Sequence, residues 1–446
     1  MGGAEPEPQS AETTPRRAGA SGLAFGWGLS AHTDAASAAA QAAEHAMRGL
    51  SGGPCDLAFL FVGGPHVARA EHIAREVRER LGAEAIVGVS TEAVLGGGVE
   101  LEAAAGVSLL GARMPGVRIT PFDASSLMML AGGATGEHDP DHIATTIGAA
   151  PDLRATILLA DPFSLPLVKL LPELNHARVD RDGAPAGVIV GGLASGGKAS
   201  GDARLILNDR VLRTGGVGVS IAGDIRTDVL VSQGATPMGD NHIVTKSKGN
   251  AILELGGRPA LQVLESVFEG LGEADQELVR GQGVLLGVVA DEYKERFGRA
   301  DYLIRTVVGA DRGSGAIAVA DRIRVGQTVR FHARDARTAH EDLSMLLDAQ
   351  AIHGTPAGAL LITCNQRGRA LFGGPNHDAA TLCRAFSPEP PGEQRAKGGR
   401  EFEGTPPMPI AGFFASGEIG PAGGRSFIHG QSAVPVLFRA PATPTR

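Results

Sequence analysis

Aromatic side chains are scarce in this 446-residue chain, with one Trp, two Tyr and 15 Phe making up 4% of it. The net charge is −8, so there is neither a basic face nor a set of stacking platforms, and a nucleic-acid partner is excluded. Cysteine is equally thin. Cys55, Cys364 and Cys383 are odd in number, far apart and without a Cys-x-x-Cys pair, which rules out a disulfide framework and points to a reducing, cytoplasmic compartment. No run approaches the roughly 18 apolar residues of a membrane span. Ala-Gly-Ala-Ser-Gly follows Arg16-Arg17 where a secretory signal would place its apolar region, so a soluble protein without a membrane partner is expected. A Gly-x-Ser-x-Gly elbow is absent too, which removes the α/β-hydrolase route to a serine nucleophile.

What is present is apolar residue and glycine. A hydrophobic content of 43% over this length can bury a core and supports two domains. The 64 glycines follow no three-residue period and therefore mark turns and close approaches. Residues 1–21 are poor in large apolar side chains and read as a disordered tail. An alanine-dense helix follows from Thr33 to Leu50, with a Thr33/Asp34 cap. Then come the strand Asp56 to Val62, a helix from His66 to Leu81 and the strand Ala85 to Ser90, a βαβ-like order. The middle of the chain alternates short apolar runs with Gly, Asp and Asn turns, as β-rich sheets do, with helices at 141–149 and 165–175. A domain boundary is placed near Gly257. Helices and strands resume after it, and 387–408 reads as a flexible surface loop. The fold class expected is α/β, two tandem and possibly related modules (22–257 and 258–438) of mixed sheets packed against helices, with a short tail from 439 to 446.

One pattern recurs three times. Ile86-Val-Gly-Val-Ser-Thr91, Val190-Gly-Gly-Leu-Ala-Ser195 and Ile410-Ala-Gly-Phe-Phe-Ala-Ser416 each run from an apolar pair through glycine to a hydroxyl, and more glycine follows each. The last continues into Ser416-Gly-Glu-Ile-Gly420 and, ten residues on, His429, joining a glycine-rich turn to one carboxylate and one imidazole. Gly192 to Lys198 nearly spells a phosphate-binding loop. Ala199 stands where Ser or Thr must coordinate magnesium, and Gly201 to Asn208 reads as turn and strand where a helix must begin, so nucleotide hydrolysis is not expected. Gly313-Ser-Gly-Ala reads as a hairpin rather than a dinucleotide fingerprint. His138-Asp-Pro-Asp-His142 could hold a metal but is better read as a helix entry. Cys364 reads as the end of a buried strand, with reactivity near Arg367 and Arg369 as the alternative.

These stretches, with Leu158 to Phe163, Arg299 to Arg305, Gly358 to Cys364 with Arg367-Gly368, and Gly412 to His429, resemble the FIST family, over residues 25 to 438. The resemblance implies two tandem α/β modules, FIST N-terminal and FIST C-terminal, proposed in bacteria to bind small molecules such as amino acids. In some eukaryotic F-box proteins related modules recruit protein partners, and no catalysis is generally assigned. The chain departs from the family pattern at Val89, where many relatives carry cysteine, and at Glu92-Ala93-Val94. The C-terminal motif is intact.

The expected function is therefore non-catalytic sensing of a small polar metabolite, with output to an unknown downstream signalling protein and with no cofactor or metal. A protein-binding scaffold, or an enzyme using Glu418 and His429, are the alternatives. Backbone N–H groups around Gly88, Ser90, Thr91, Gly192, Ser195, Gly196, Ser416, Gly417 and Gly420 are expected to hold an anionic group. Glu418, with Asn365, would take an ammonium or hydroxyl, with Arg367 and His429 alongside. The competing reading has Glu418 capping a tight turn and His429 as a satisfied half-buried side chain.

Overall fold

The structure, a computed structural model, describes residues 22–130, 140–178, 186–386 and 408–441. The tail at 1–21, most of the 387–408 loop, residues 442–446 and the pair His138/Asp139 lie outside them. Mixed sheets packed against helices form the molecule in two tandem assemblies, as expected. No helix among the described residues is long and apolar enough to cross a membrane.

Three units of the same plan account for three of the four sheets. The first runs strand Ala24–Ser30, helix Ala35–Gly49, strand Leu57–Gly63, helix Ala70–Leu81, strand Ala85–Thr91, a hairpin (Val94–Gly96 and Val99–Leu101) and strand Gly106–Arg113. In the second the corresponding strands are Val117–Asp123, Leu153–Ala160, Val188–Leu193 and Gly216–Gly223, with the hairpin Leu205–Leu207 and Arg210–Leu212. The third has Arg226–Val229, Gly358–Cys364, Ile410–Ala415 and Ala433–Arg439, with the hairpin Glu418–Ala422 and Arg425–His429. In each sheet the first strand pairs antiparallel with the last, the last antiparallel with the second, and the second parallel with the third.

The hairpins do not stay at home. Each docks on the third strand of another unit: 94–101 on Ile410–Ala415, 205–212 on Ala85–Thr91, and 418–429 on Val188–Leu193. The exchange is cyclic and interlocks the units. The inner faces of all three sheets meet in one core, where Phe61 stacks on Phe413 at 4.8 Å and Phe25 on Phe438 at 5.2 Å. Each outer face carries its own helices. The strands are therefore apolar on both faces and read as continuous hydrophobic runs. The alanine helix shows why small residues are needed, since it buries Ala38, Ala39, Ala42, Ala43 and Ala46 against Gly26 and Gly28. A Cβ at Gly26 would lie 1.8 Å from the Ala46 carbonyl oxygen.

The three echoed glycine motifs are the third strands of the three units. Gly88, Gly191 and Gly412 sit opposite Leu60, Leu158 and Leu361 of the neighbouring parallel strands. A Cβ at these positions would stand 2.1, 1.8 and 1.9 Å from those residues' carbonyl oxygens. Glycine recurs there because the two strands cross too closely for any side chain.

The fourth sheet is inserted into the third unit between its first strand and its helix Ala336–Ala351. Strands Ala235–Lys248, Thr328–Arg334, Val284–Val289, Tyr302–Asp311, Ala316–Val319 and Ala251–Leu255 pair antiparallel in that order. Pairing of the first with the last closes a barrel, and the short strand Arg258–Pro259 extends its edge. Strands on both sides of Gly257 thus share one sheet. Chain entry and exit are adjacent, Ala235 being paired with Arg334, as an inserted domain requires.

Candidate functional site

The polar residues of the C-terminal motif gather where the parallel strands Gly358–Cys364 and Ile410–Ala415 of the third unit end, the edge at which open α/β sheets present ligand sites. The chain turns there from Cys364 through Asn365 to Arg367, while residues 430–432 pass overhead between two strands of the 418–439 segment. The Cys364 amide donates to the Ser432 carbonyl at 2.9 Å and the Asn365 amide to the Ala415 carbonyl at 2.8 Å, which pins both turns. Gln431 takes a left-handed backbone, φ 62°, uncommon for a residue with a side chain.

Glu418 and His429 face each other across their hairpin, and both are buried. The same two positions hold Val94 and Leu101 in the first hairpin, and Leu205 and Leu212 in the second. One of three equivalent apolar seats has therefore been made polar. Glu418 Oε2 accepts from the Ser432 amide at 3.1 Å and its hydroxyl at 2.7 Å, the Cys364 thiol also stands close to the carboxyl, and Oε1 has no partner in hydrogen-bond geometry among the described residues. Burial pushes this carboxyl up to about 8, against the pull of the Ser432 hydrogen bonds, so it is mostly protonated at neutral pH. His429 donates from Nε2 to the Gly420 carbonyl at 3.0 Å, and its Nδ1 has no partner among the described residues. Burial lowers it to about 4, so the ring is neutral.

Arg367, fully buried, does not pair with Glu418. It forms a two-bond fork with Asp378, Nε to Oδ2 at 2.6 Å and Nη2 to Oδ1 at 2.8 Å, over the Phe372 ring. Thr363 and His377 complete the shell of Asp378. Burial opposes the charge on Asp378, but the Arg367 guanidinium and these hydrogen bonds outweigh it and hold the carboxyl well below the usual range. Arg367 Nη1 remains without an acceptor among the described residues. The Cys364 thiol is pushed up by burial and by the neighbouring Glu418, which corrects the reading that nearby cations would activate it. It ends a buried strand.

Other residues singled out from the sequence take on a different meaning in the fold. Gly88, Ser90 and Thr91 lie in a strand rather than in an anion-binding turn. The Ser90 amide donates to the Arg204 carbonyl and its hydroxyl accepts from the Arg204 amide at 2.9 Å, while the Thr91 hydroxyl donates to Ala93. Gly192 is also strand, paired with Glu418. Ser195 and Ser416 tie units together, donating to the Phe414 and Ala194 carbonyls, and the Ser416 amide donates to Leu193. A Cβ at Gly196 would meet the Thr91 amide nitrogen at 2.9 Å, one at Gly417 would meet Leu193, and one at Gly420 would meet Val231. Of these residues Gly192 is the one paired directly with Glu418, and the others make close packing between units. Arg367 lies within electrostatic reach of Glu418, and Asn365 follows Cys364 in the adjoining turn. The near phosphate-binding loop ends in a turn, with the Lys198 and Ala199 amides both donating to Asp202, and 313–316 is a hairpin turn.

One residue of this neighbourhood was not anticipated. Arg334 ends the barrel strand Thr328–Arg334, whose Val329, Phe331 and Ala333 point into the barrel core while Arg330, His332 and Arg334 point out. That alternation was readable, but its destination was not. Arg334 comes within electrostatic reach of Arg367 and Cys364, and its Nε and Nη2 are buried without an acceptor.

Comparison with known proteins adds the lineage. Residues 56–258 match the FIST N domain and 260–421 the FIST C domain. The chain belongs to the FIST family. FIST domains are regarded as small-molecule sensory modules. This FIST chain is 36% identical over 418 residues to an uncharacterized protein of Mycobacterium tuberculosis, covering 93% of this chain and all of the relative. It is also 36% identical over 429 residues to an uncharacterized protein of Mycobacterium bovis, covering 93% and 99%. The similarity therefore spans the barrel as well as the three units.

Proposed function

We propose that this FIST protein is a non-catalytic sensor that binds a small polar metabolite, of the size of an amino acid, at the Glu418–Arg367–Arg334 junction. The observation that carries the reading is a set of buried polar atoms without hydrogen-bond partners among the described residues: Glu418 Oε1, Arg367 Nη1, Arg334 Nε and Nη2, and Gln431 Oε1. Leaving such groups unpaired costs stability, and native proteins leave few of them. A polar ligand seated where the parallel strands end would supply the missing partners. Arg334 comes from the barrel, Arg367 from the third unit and the carboxyl from the exchanged hairpin. A ligand touching all three would favour one arrangement of barrel and units, and a separate downstream protein would read that arrangement.

The test is a thermal-shift screen of the full chain against amino acids, dipeptides, organic acids and nucleotides. A ligand at about 100 times its dissociation constant stabilises the native state by about 2.7 kcal/mol, several degrees of melting temperature. A selective shift that Glu418→Gln abolishes supports the sensor. A flat screen refutes it and favours the scaffold reading, to be followed by affinity capture.

A further inference from the structure

The geometry points to the ligand's chemical class: we propose that Arg334, with Arg367 beside it, grips an oxyanion, so that the ligand is a small acid bearing a carboxylate or a phosphate. This rests on the site proposed above. The Nε and Nη2 groups of a guanidinium lie on one edge and are the pair that holds two oxygens of one acid. Arg367 uses that same edge on Asp378. In Arg334 that edge is buried and no acceptor among the described residues meets it. No ion pair of Arg334 exists among the described residues.

The nearby acids are committed elsewhere. Asp335 caps helix Ala336–Ala351, accepting from the Arg337 and Thr338 amides. Asp342 accepts from the Gln233 amide, and both oxygens of Asp378 serve Arg367. Glu418, protonated at neutral pH, brings a hydroxyl rather than a negative charge. The free edge of Arg334 therefore has no carboxylate on it among the described residues, and Arg367 is a second guanidinium within electrostatic reach. That edge matches an anion and repels an ammonium group. Arg334, Asn365 and Gln431 are half-buried and Gln366 is exposed, so the junction lies close to the protein surface.

Titration calorimetry and thermal shift of the full chain would use malonate, succinate and glutarate, their uncharged diamides, and glycerol phosphate. The expected result is that an acid binds and its diamide does not. Arg334→Met should weaken binding by about 100-fold, and Arg334→Lys, which keeps the charge but loses the fork, by about tenfold. Carboxylate against phosphate ester decides which oxyanion is preferred. Arg334→Met should also leave the melting temperature of the unliganded protein unchanged or higher, because it removes a partly buried charge without a partner. A structural role would lower it. If a diamide or an amine binds as well as the acid and Arg334→Met is without effect, the anion inference fails while the sensor reading stands. If no probe of any charge binds in the wider screen, both fail. Should Arg334→Met not fold, the Lys variant still decides between the outcomes.

Discussion

At Glu418 a single proton links burial to pH. The native carboxyl keeps its proton up to about pH 8, whereas an unfolded chain loses it near 4.5. Between those values the native state binds the extra proton, so its stability falls as pH rises, by about 1.4 kcal/mol per unit from this group. Glu418→Gln keeps the shape without the titration. Urea unfolding at pH 5 and pH 8 should therefore show the variant gaining on the parent by a few kcal/mol at the higher pH. Parallel profiles would mean that the carboxyl is ionised in the native protein. His429 works at the other end of the scale. It stays neutral down to about 4, so its contribution is lost as pH falls from 6.5 toward 4. Glu418 and His429 were legible in the sequence because polar side chains interrupt an apolar strand pattern. Arg334 was not, since it belongs to a segment some eighty residues upstream of Glu418 and nothing local states where its outward face lands.

At the scale of the element, the third strand of each unit depends on one glycine. Gly412→Ala would place a methyl 1.9 Å from the Leu361 carbonyl oxygen, and the parallel pair would have to separate. The expected cost is about 3 kcal/mol or more, measured as a lowered urea midpoint. Gly374→Ala, where a Cβ meets nothing within 4 Å, should change stability by less than about 1 kcal/mol. Equal effects would overturn this account of the repeat. Strand and helix positions came from periodicity and glycine punctuation, and the alanine helix, with Asp34 accepting from the Ser37 amide, begins where its cap residues place it. The pairing of strands was not legible. A strand 94–96 that reads as the continuation of its own unit docks instead on Ile410–Ala415, from the far end of the chain, and no local pattern records its partner.

At the scale of the molecule, the exchange decides what can be separated. A fragment of residues 22–257 carries the hairpin 94–101 without its recipient sheet. It also leaves strand Val188–Leu193 without the hairpin that covers its edge. Such an open, apolar edge promotes association. We expect the fragment to aggregate or melt without cooperativity in calorimetry, where the full chain gives a cooperative transition from its three units. A monomeric, cooperatively melting fragment would contradict this. The division between the two FIST matches, at residues 258 and 260, is thus a division of sequence that the strands cross. The direction of exchange has one more implication. Every hairpin is passed the same way round, so the connections between units add nothing to the closure itself. Three separate copies of one such unit, handing their hairpins around in the same sense, would close into an identical ring as a homotrimer. What only a single chain permits is inequality among the three seats, and it is at one seat alone that a carboxyl and an imidazole replace the apolar pair.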